Sequence, residues 1–232
     1  MNNLLYSEVF SLTLALGTYL AALALYKKTK IVLLNPLLVS IFAIIAILQV
    51  AGIEYEVFRR GTRMIHFMLG PAVVALGYVL FEQVKYLRGN VISILTSITV
   101  GAFIGIASVM AISHLMGADE VLIATMQPKS VTTPIAMSIA ERAGGIPSIT
   151  AVIVVGVGIF GSIAGPILLK AMGIESKIAK GLALGASSHG VGTAAAIQMG
   201  VIEGAISGLA IGLMGIATAI LVPLITFALT FF

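Results

Sequence analysis

The chain has 232 residues, 59% of them hydrophobic and only 9% charged, with a formal net charge of +4. Soluble domains carry roughly 25% charged residues, so this chain has too few to cover a water-facing surface, and no stretch is polar enough for a soluble domain. Composition points to an all-α integral membrane protein. The basic residues fall in short gaps between apolar segments, as membrane-flanking anchors do, and form no nucleic-acid-binding patch. Cysteine is absent, which excludes disulfides and thiolate metal sites. Tryptophan is absent too, so interfacial anchoring falls to Tyr, Lys and Arg. Residues 1–10 lack a basic region and carry Glu8, so they do not read as a cleaved signal peptide.

A helix that crosses a bilayer needs about 20 apolar residues, and the charged gaps divide the chain accordingly. The first span covers 9–26 and ends at Lys27, Lys28 and Lys30; the second covers 31–53. The gap holding Glu54, Glu56, Arg59, Arg60 and Arg63 reads as a solvated loop. A third span covers 64–80 and a fourth 91–116. Residues 119–145 differ, because Gln127-Pro-Lys-Ser-Val-Thr-Thr-Pro134 lies at their centre. The apolar pieces on either side are each roughly 13 Å long, about half the hydrocarbon core. That predicts a re-entrant hairpin, or one helix broken at mid-membrane. Spans over 146–169, 181–200 and 205–232 follow. The expected architecture is about seven transmembrane helices plus this re-entrant or broken one.

The layout also suggests one domain, 1–232, built from repeat halves 1–116 and 117–232. Leu69-Gly70-Pro71 and Leu184-Gly185 lie mid-span about 115 residues apart, and spans begin at 31 and 146 and at 91 and 205. With a re-entrant hairpin between them the halves are inverted. Inverted repeats with discontinuous helices are the pattern of secondary transporters, although spans of similar length can also align by coincidence.

Three places carry polar chemistry. In Leu182-Ala-Leu-Gly-Ala-Ser-Ser-His-Gly-Val-Gly-Thr-Ala-Ala-Ala-Ile197, glycines Gly185, Gly190 and Gly192 predict an unwound turn, since glycine takes positive φ and permits close backbone approach. Unwound backbone in a membrane must be buried in protein or line a wet cavity. Ser187, Ser188, His189 and Thr193 supply donors and acceptors there, and a helix restarting near 191–193 aims free N–H groups at an anion. The plainer alternative is that small residues pack helices and His189 bonds a neighbour. In the second place, Thr133 is suited to cap a helix whose first residue is Pro134. Locally this only starts a helix; at mid-membrane it brings a second N-terminus to the site, lined by Ser130, Thr132 and Thr133. Lys129 either complements an anion or snorkels to the interface. Third, Gly70-Pro71 kinks its span, for packing or as the counterpart of the later break. Glu203 reads as an interfacial turn residue, with gating or proton entry as the alternative. Enzyme signatures are missing: there is no H-E-x-x-H pair and no metal-ligand spacing. Ser188 and His189 are sequence neighbours and point apart on a helix, a poor nucleophile–base pair. Neither catalysis nor a metal or organic cofactor is expected.

Pro128-Lys-Ser-Val-Thr-Thr-Pro-Ile-Ala-Met137, Gly144-Gly-Ile-Pro147 and Gly181-Leu-Ala-Leu-Gly-Ala-Ser-Ser-His-Gly-Val-Gly-Thr193 closely resemble the LrgB/CidB family of bacterial inner-membrane proteins. Leu69-Gly70-Pro71-Ala72 and Val201-Ile-Glu-Gly-Ala205 resemble its other marks, so the likeness covers essentially the whole chain. Some family members have small residues in place of the lysine and serine of the first motif, which ties Lys129 to a subgroup. The resemblance implies a multi-pass protein of the bacterial inner membrane, and it implies two functions. Members are labelled antiholin-like or holin-like regulators of murein hydrolases and lysis, acting beside a small LrgA/CidA-type membrane protein. Other relatives are carriers, including the plant plastidal glycolate/glycerate translocator, and bacterial pairs are linked to pyruvate uptake.

The first hypothesis is therefore a secondary carrier of a small monocarboxylate of the pyruvate, glycolate or glycerate class. Ser130, Thr132, Thr133, Ser187, Ser188, His189 and Thr193 would bind the substrate. A proton taken by His189, whose ordinary pKa lies near neutrality, or a sodium ion would drive it. A single chain is small for this work, which points to a homo-oligomer, a dimer, or to the small partner. The second hypothesis is the holin-type regulator, which needs packing surfaces and no internal polar site.

Overall fold

The computed structural model describes residues 7–29, 31, 34–68, 71, 74, 75, 78, 81 and 91–229. Helix is the only regular structure among them, and the chain divides into two compact units, Met1–Ala72 and Val73–Phe232. The first unit holds α1 (Glu8–Thr29), α2 (Pro36–Ala51), α3 (Tyr55–Gly61) and α4 (Arg63–Phe67). The second holds α5 (Val91–Leu115), α6 (Glu120–Met126), α7 (Thr133–Arg142), α8 (Pro147–Ala171), α9 (Lys177–Met199) and α10 (Val201–Leu229). Helices α1, α5, α8 and α10 are each long and apolar enough to cross a membrane. Large apolar side chains such as Leu20, Phe42, Val152 and Phe160 stand exposed along the helices, a surface suited to lipid and not to water. The chain is a multi-pass membrane protein.

In the first unit, α1 packs on α2 and α3, with Gly61 of α3 set directly against the buried Ser11 of α1. Helix α2 has 16 residues, shorter than the span expected over 31–53. Local chemistry fixes both ends. The Asn35 side chain accepts from Leu37 N at 2.9 Å, Pro36 opens the helix, and Gly52 closes it with φ 64°. The stretch around Glu54 to Arg63, expected as a loop, is helical instead. Glu56 pairs with Arg59 (3.3 Å) and Arg60 (3.9 Å), one turn on, spacings that support a short helix. The span expected over 64–80 falls largely outside the described residues, and Gly70 with it; Pro71 is exposed in helical backbone.

The second unit has one core. Ile94, Ile98, Ala102 and Ile106 form a single stripe down α5 and meet Leu209, Ala210, Met214 and Val222 of α10. Val131, Ala136 and Ile139, from the segment between α6 and α8, complete it with Val154 of α8. Between helices in a bilayer such contacts hold by close packing, because lipid tails are as apolar as the core itself.

Residues 119–145 form a hairpin of two short helices. Asp119 caps α6, accepting from Leu122 N at 2.7 Å. Turns follow at 127–131, where Lys129 N reaches Met126 O and Val131 N reaches Pro128 O. Thr132, one residue before the expected Thr133, is the N-cap of α7, and Pro134 sits in its first turn. Gly144 closes α7 with φ 82°. The chain then returns to where it left α6. Ile146 N donates to Thr125 Oγ1 at 2.9 Å, and Thr150 Oγ1 donates to Thr125 O at 2.9 Å. A Cβ on Gly145 would lie 2.7 Å from Thr125 N, so the backbones touch at this seam.

Helix α9 lies between α8 and α10 at backbone contact distance. On one side Gly158, Gly161 and Gly165 of α8 receive His189, Ser188 and Leu184. A Cβ on Gly158 would lie 2.6 Å from the imidazole Cε1, and one on Gly165 2.6 Å from Leu184 Cδ2. On the other side Gly181 and Gly185 of α9 press on Glu203, Ile206, Ser207 and Ala210 of α10. Prolines Pro166 and Pro223 lie inside α8 and α10; neither helix end was expected there and neither helix stops.

Two outcomes follow from this packing. Gly185→Val should fail to reach the native fold or unfold well below the parent in detergent, because its neighbours at 2.8–2.9 Å are Ala210 Cβ and the Ser207 backbone. Gly190→Ala, with open space around it, should be neutral or gain up to about 1 kcal/mol. Thermal unfolding of both checks the contrast. Thr125→Val, which strips the acceptor from Ile146 N–H, should cost about 1–3 kcal/mol, read by thermal or denaturant unfolding.

Candidate functional site

Helix α9 is interrupted at one residue, His189, with φ 43° and ψ −134°. It is the only described non-glycine residue with positive φ, a conformation that costs of order 1–3 kcal/mol and persists only where surroundings enforce it. The expectation that Gly185, Gly190 and Gly192 supply this turn is corrected: none of them has left-handed φ. The reason is tertiary. The imidazole of His189 is buried, fills the room that Gly158 leaves open, and donates from Nε2 to Val154 O at 2.9 Å. That anchor fixes where the helix turns. Gly185 serves the approach to α10, and Gly192 lets the chain pass 2.6 Å from Ser188 Cβ.

The hydroxyls around the break are satisfied among themselves. Ser187 Oγ donates to Ala183 O (2.7 Å), which leaves the buried Ser188 to donate to Ser187 Oγ (2.9 Å). Thr193 Oγ1 donates to His189 O at 2.9 Å. It therefore accepts from Ser207 Oγ of α10, 2.7 Å away and fully buried. The carbonyl freed by the turn is thus held by a two-hydroxyl relay from the next helix. With Nε2 donating, Nδ1 of His189 has no hydrogen-bond partner among the described residues, and is the atom left to take a proton or a ligand.

The hairpin tip is the opposite case. Pro128 and Val131 are fully buried there, and the Thr132 hydroxyl is buried without a partner. Its backbone caps the ten-residue α7, but its side chain makes no capping bond. Lys129 Nζ donates to Ser130 Oγ at 3.1 Å, which draws a cation and a hydroxyl together at the tip. Thr133 and Pro134 are half-buried in the first turn of α7.

The structure therefore places the candidate residues in two groups, Lys129 to Pro134 at the tip and Gly185 to Thr193 at the break. No hydrogen bond joins the groups among the described residues. Both lie along α10: Ser207 meets the break, and Gly215 lies against Ile135 of α7, eight residues or roughly 12 Å further along. Glu203 is buried in the first turn of α10, its carboxylate folded back on Gly200, where the helix N-terminus favours negative charge. Sequence reasoning missed Ser207 and Thr218. Both sit in an apolar helix, where one hydroxyl reads as packing, yet Thr218 is buried with an unpartnered Oγ1. Among the described residues no three His, Cys, Asp or Glu side chains gather as a metal site would require.

The comparisons agree on family. Residues 15–227 match the model of the LrgB-like family. The uncharacterised protein YxaC of Bacillus subtilis is 35% identical over 94% of both chains. An uncharacterised protein of Haemophilus influenzae is 34% identical over 91% of both. The antiholin-like protein LrgB of Bacillus mycoides is 33% identical over 93% of this chain and 94% of its own. No solved structure matches. With nearly its whole length matched, the chain belongs to the LrgB-like family.

Proposed function

We propose that this protein is a secondary carrier of small monocarboxylates, of the pyruvate, glycolate or glycerate class, that works by alternating access in the bacterial inner membrane, and that it is not an enzyme. One observation carries the reading. Two helical elements packed along α10 are interrupted inside the protein, and the interruptions hold hydroxyls, a lysine and a histidine. Polar interruptions of spanning elements are where membrane carriers bind substrates and ions.

The substrate carboxylate is met at the tip by Lys129, Ser130 and the free N–H groups that open α7 after Thr132. The orphaned Thr132 hydroxyl and Thr133 take its oxygen substituent. Across α10, Ser187, Ser188 and Thr193 exchange their internal bonds for the substrate. His189 Nδ1 takes the coupling proton; sodium held by hydroxyls and the carbonyls of the break is the rival ion. Glu203 lies at the outer end of this path as a gate. Halves 1–116 and 117–232 move against each other as an inverted repeat of seven spans and the hairpin. The working unit is a homodimer, or a complex with a small LrgA/CidA-type membrane protein.

A second reading rests on a name: relatives such as that of Bacillus mycoides are called antiholin-like. Here the chain regulates murein hydrolases and lysis through its small partner, and its polar break only shapes packing.

Uptake of labelled pyruvate and glycolate into proteoliposomes separates the two. Saturable uptake that responds to a pH gradient, and falls roughly tenfold or more in His189→Ala and Thr132→Val, is expected from losing hydrogen bonds to a charged ligand. Ser207→Ala should act less strongly, since it removes only the outer member of the relay. No uptake by folded protein, alone and with its small partner, would sink the carrier and leave the regulator.

A further inference from the structure

The base of the hairpin borders a cavity of about 650 Å³ that none of the carboxylate-site residues lines. Its size suits a small molecule or a lipid headgroup. Apolar walls come from residues such as Met110 of α5 and Ile123 of α6. Four polar side chains also line it: His114 in the last turn of α5, Glu120 in the first turn of α6, Gln127, and Thr226 of α10.

Gln127 is the anomaly. It is 6% exposed, and its amide oxygen has no hydrogen-bond partner. Buried polar groups without partners are rare and ask for a missing one. The two ends of an amide are assigned and not observed, so Gln127 itself accepts a donor or donates to an acceptor. The charge of the cavity decides between them. Glu120 is its only acidic residue, and no lysine or arginine lines it. An anion is repelled there, so the cavity does not duplicate the carboxylate site. A single carboxylate is also too little for a divalent metal, which takes several oxygen ligands. The apolar walls require an apolar body behind the charge.

We infer that this cavity binds a primary ammonium group carried on an apolar body, with the Gln127 amide oxygen, the Glu120 carboxylate and the Thr226 hydroxyl as its acceptors. Two sources carry that chemistry. One is the ethanolamine headgroup of a membrane phospholipid. The polar turn at Gly117-Ala-Asp119, where the long apolar α5 has just ended, puts the cavity at headgroup level. The other is a free organic amine.

Binding to the purified full chain tests this without reference to transport. Benzylamine, with benzyl alcohol and benzoate as shape-matched controls, is titrated in detergent. Nanodiscs of phosphatidylethanolamine are compared with nanodiscs of phosphatidylglycerol. The expected result is a higher unfolding temperature with the amine, the ethanolamine lipid or both, and none with the controls. The response should weaken roughly tenfold in Glu120→Gln, which removes a charge-assisted bond. Glu120 is exposed, so this variant should fold. Gln127→Leu should fold as well, because it replaces an unpartnered buried amide with an apolar side chain, and it should lose the response too. A response to the lipid alone identifies the headgroup, and a response to benzylamine alone a soluble amine. Equal responses to benzylamine and benzoate, no response to either amine source, or an undiminished response in Glu120→Gln would each overturn the inference.

Discussion

The second unit depends on how closely three backbones approach. Helix α9 lies between α8 and α10 with glycine on both faces of contact, and the side chains that define its break reach their partners only because of that approach. His189 finds Val154 O because Gly158 has no side chain in the way. Thr193 meets Ser207 because Gly181 and Gly185 let α10 lie against α9. In a bilayer there is no hydrophobic drive to bring such helices together, so small residues and interhelical hydrogen bonds do that work. The polar break is thus not a weak point in the packing. It is made by the packing, and it would not survive a wider separation.

The two interruptions differ in kind. At the break of α9 every hydroxyl hydrogen has an acceptor, and the left-handed residue is pinned by a bond to another helix. At the hairpin tip the Thr132 hydroxyl is buried and unanswered beside a lysine. A satisfied network specifies one geometry, while an unsatisfied group favours whatever can complete it. The break therefore suits a position that turns and transmits, and the tip one that receives. Both run along α10, whose own Thr218 hydroxyl is also unanswered.

Much of this was legible in the residues, for reasons that can be separated. The long apolar spans follow from composition alone. The hairpin followed from Gln127 to Pro134, where two prolines and three hydroxyl residues interrupt two pieces too short to span. The polar cluster around His189 marked the break to within a few residues. The identity of the turning residue was not legible, because local preference assigns positive φ to glycine, whereas here a carbonyl 35 residues away decides. The glycines were read for their backbone freedom and serve instead by their missing side chains. Ser207 escaped notice because its role exists only relative to Thr193, on another helix. The stretch from Glu54 to Arg63 misled in the opposite sense: charge density suggests a loop, but Glu56 and its arginines have helical spacing.

The seam at Thr125 bears on how the protein is made. Its two bonds join a residue of α6 to Ile146 and Thr150 at the start of α8, which leave the ribosome later. Until those residues arrive, the emerging hairpin has open polar ends, and neither α6 nor α7 is long enough to settle across a bilayer alone. The hairpin is therefore a late piece of the assembly. It closes when α8 inserts behind it, and before that moment it must wait at the membrane surface or in the shelter of the insertion machinery. Biosynthesis, and not only the finished fold, thus constrains the short run from Thr125 to Thr150.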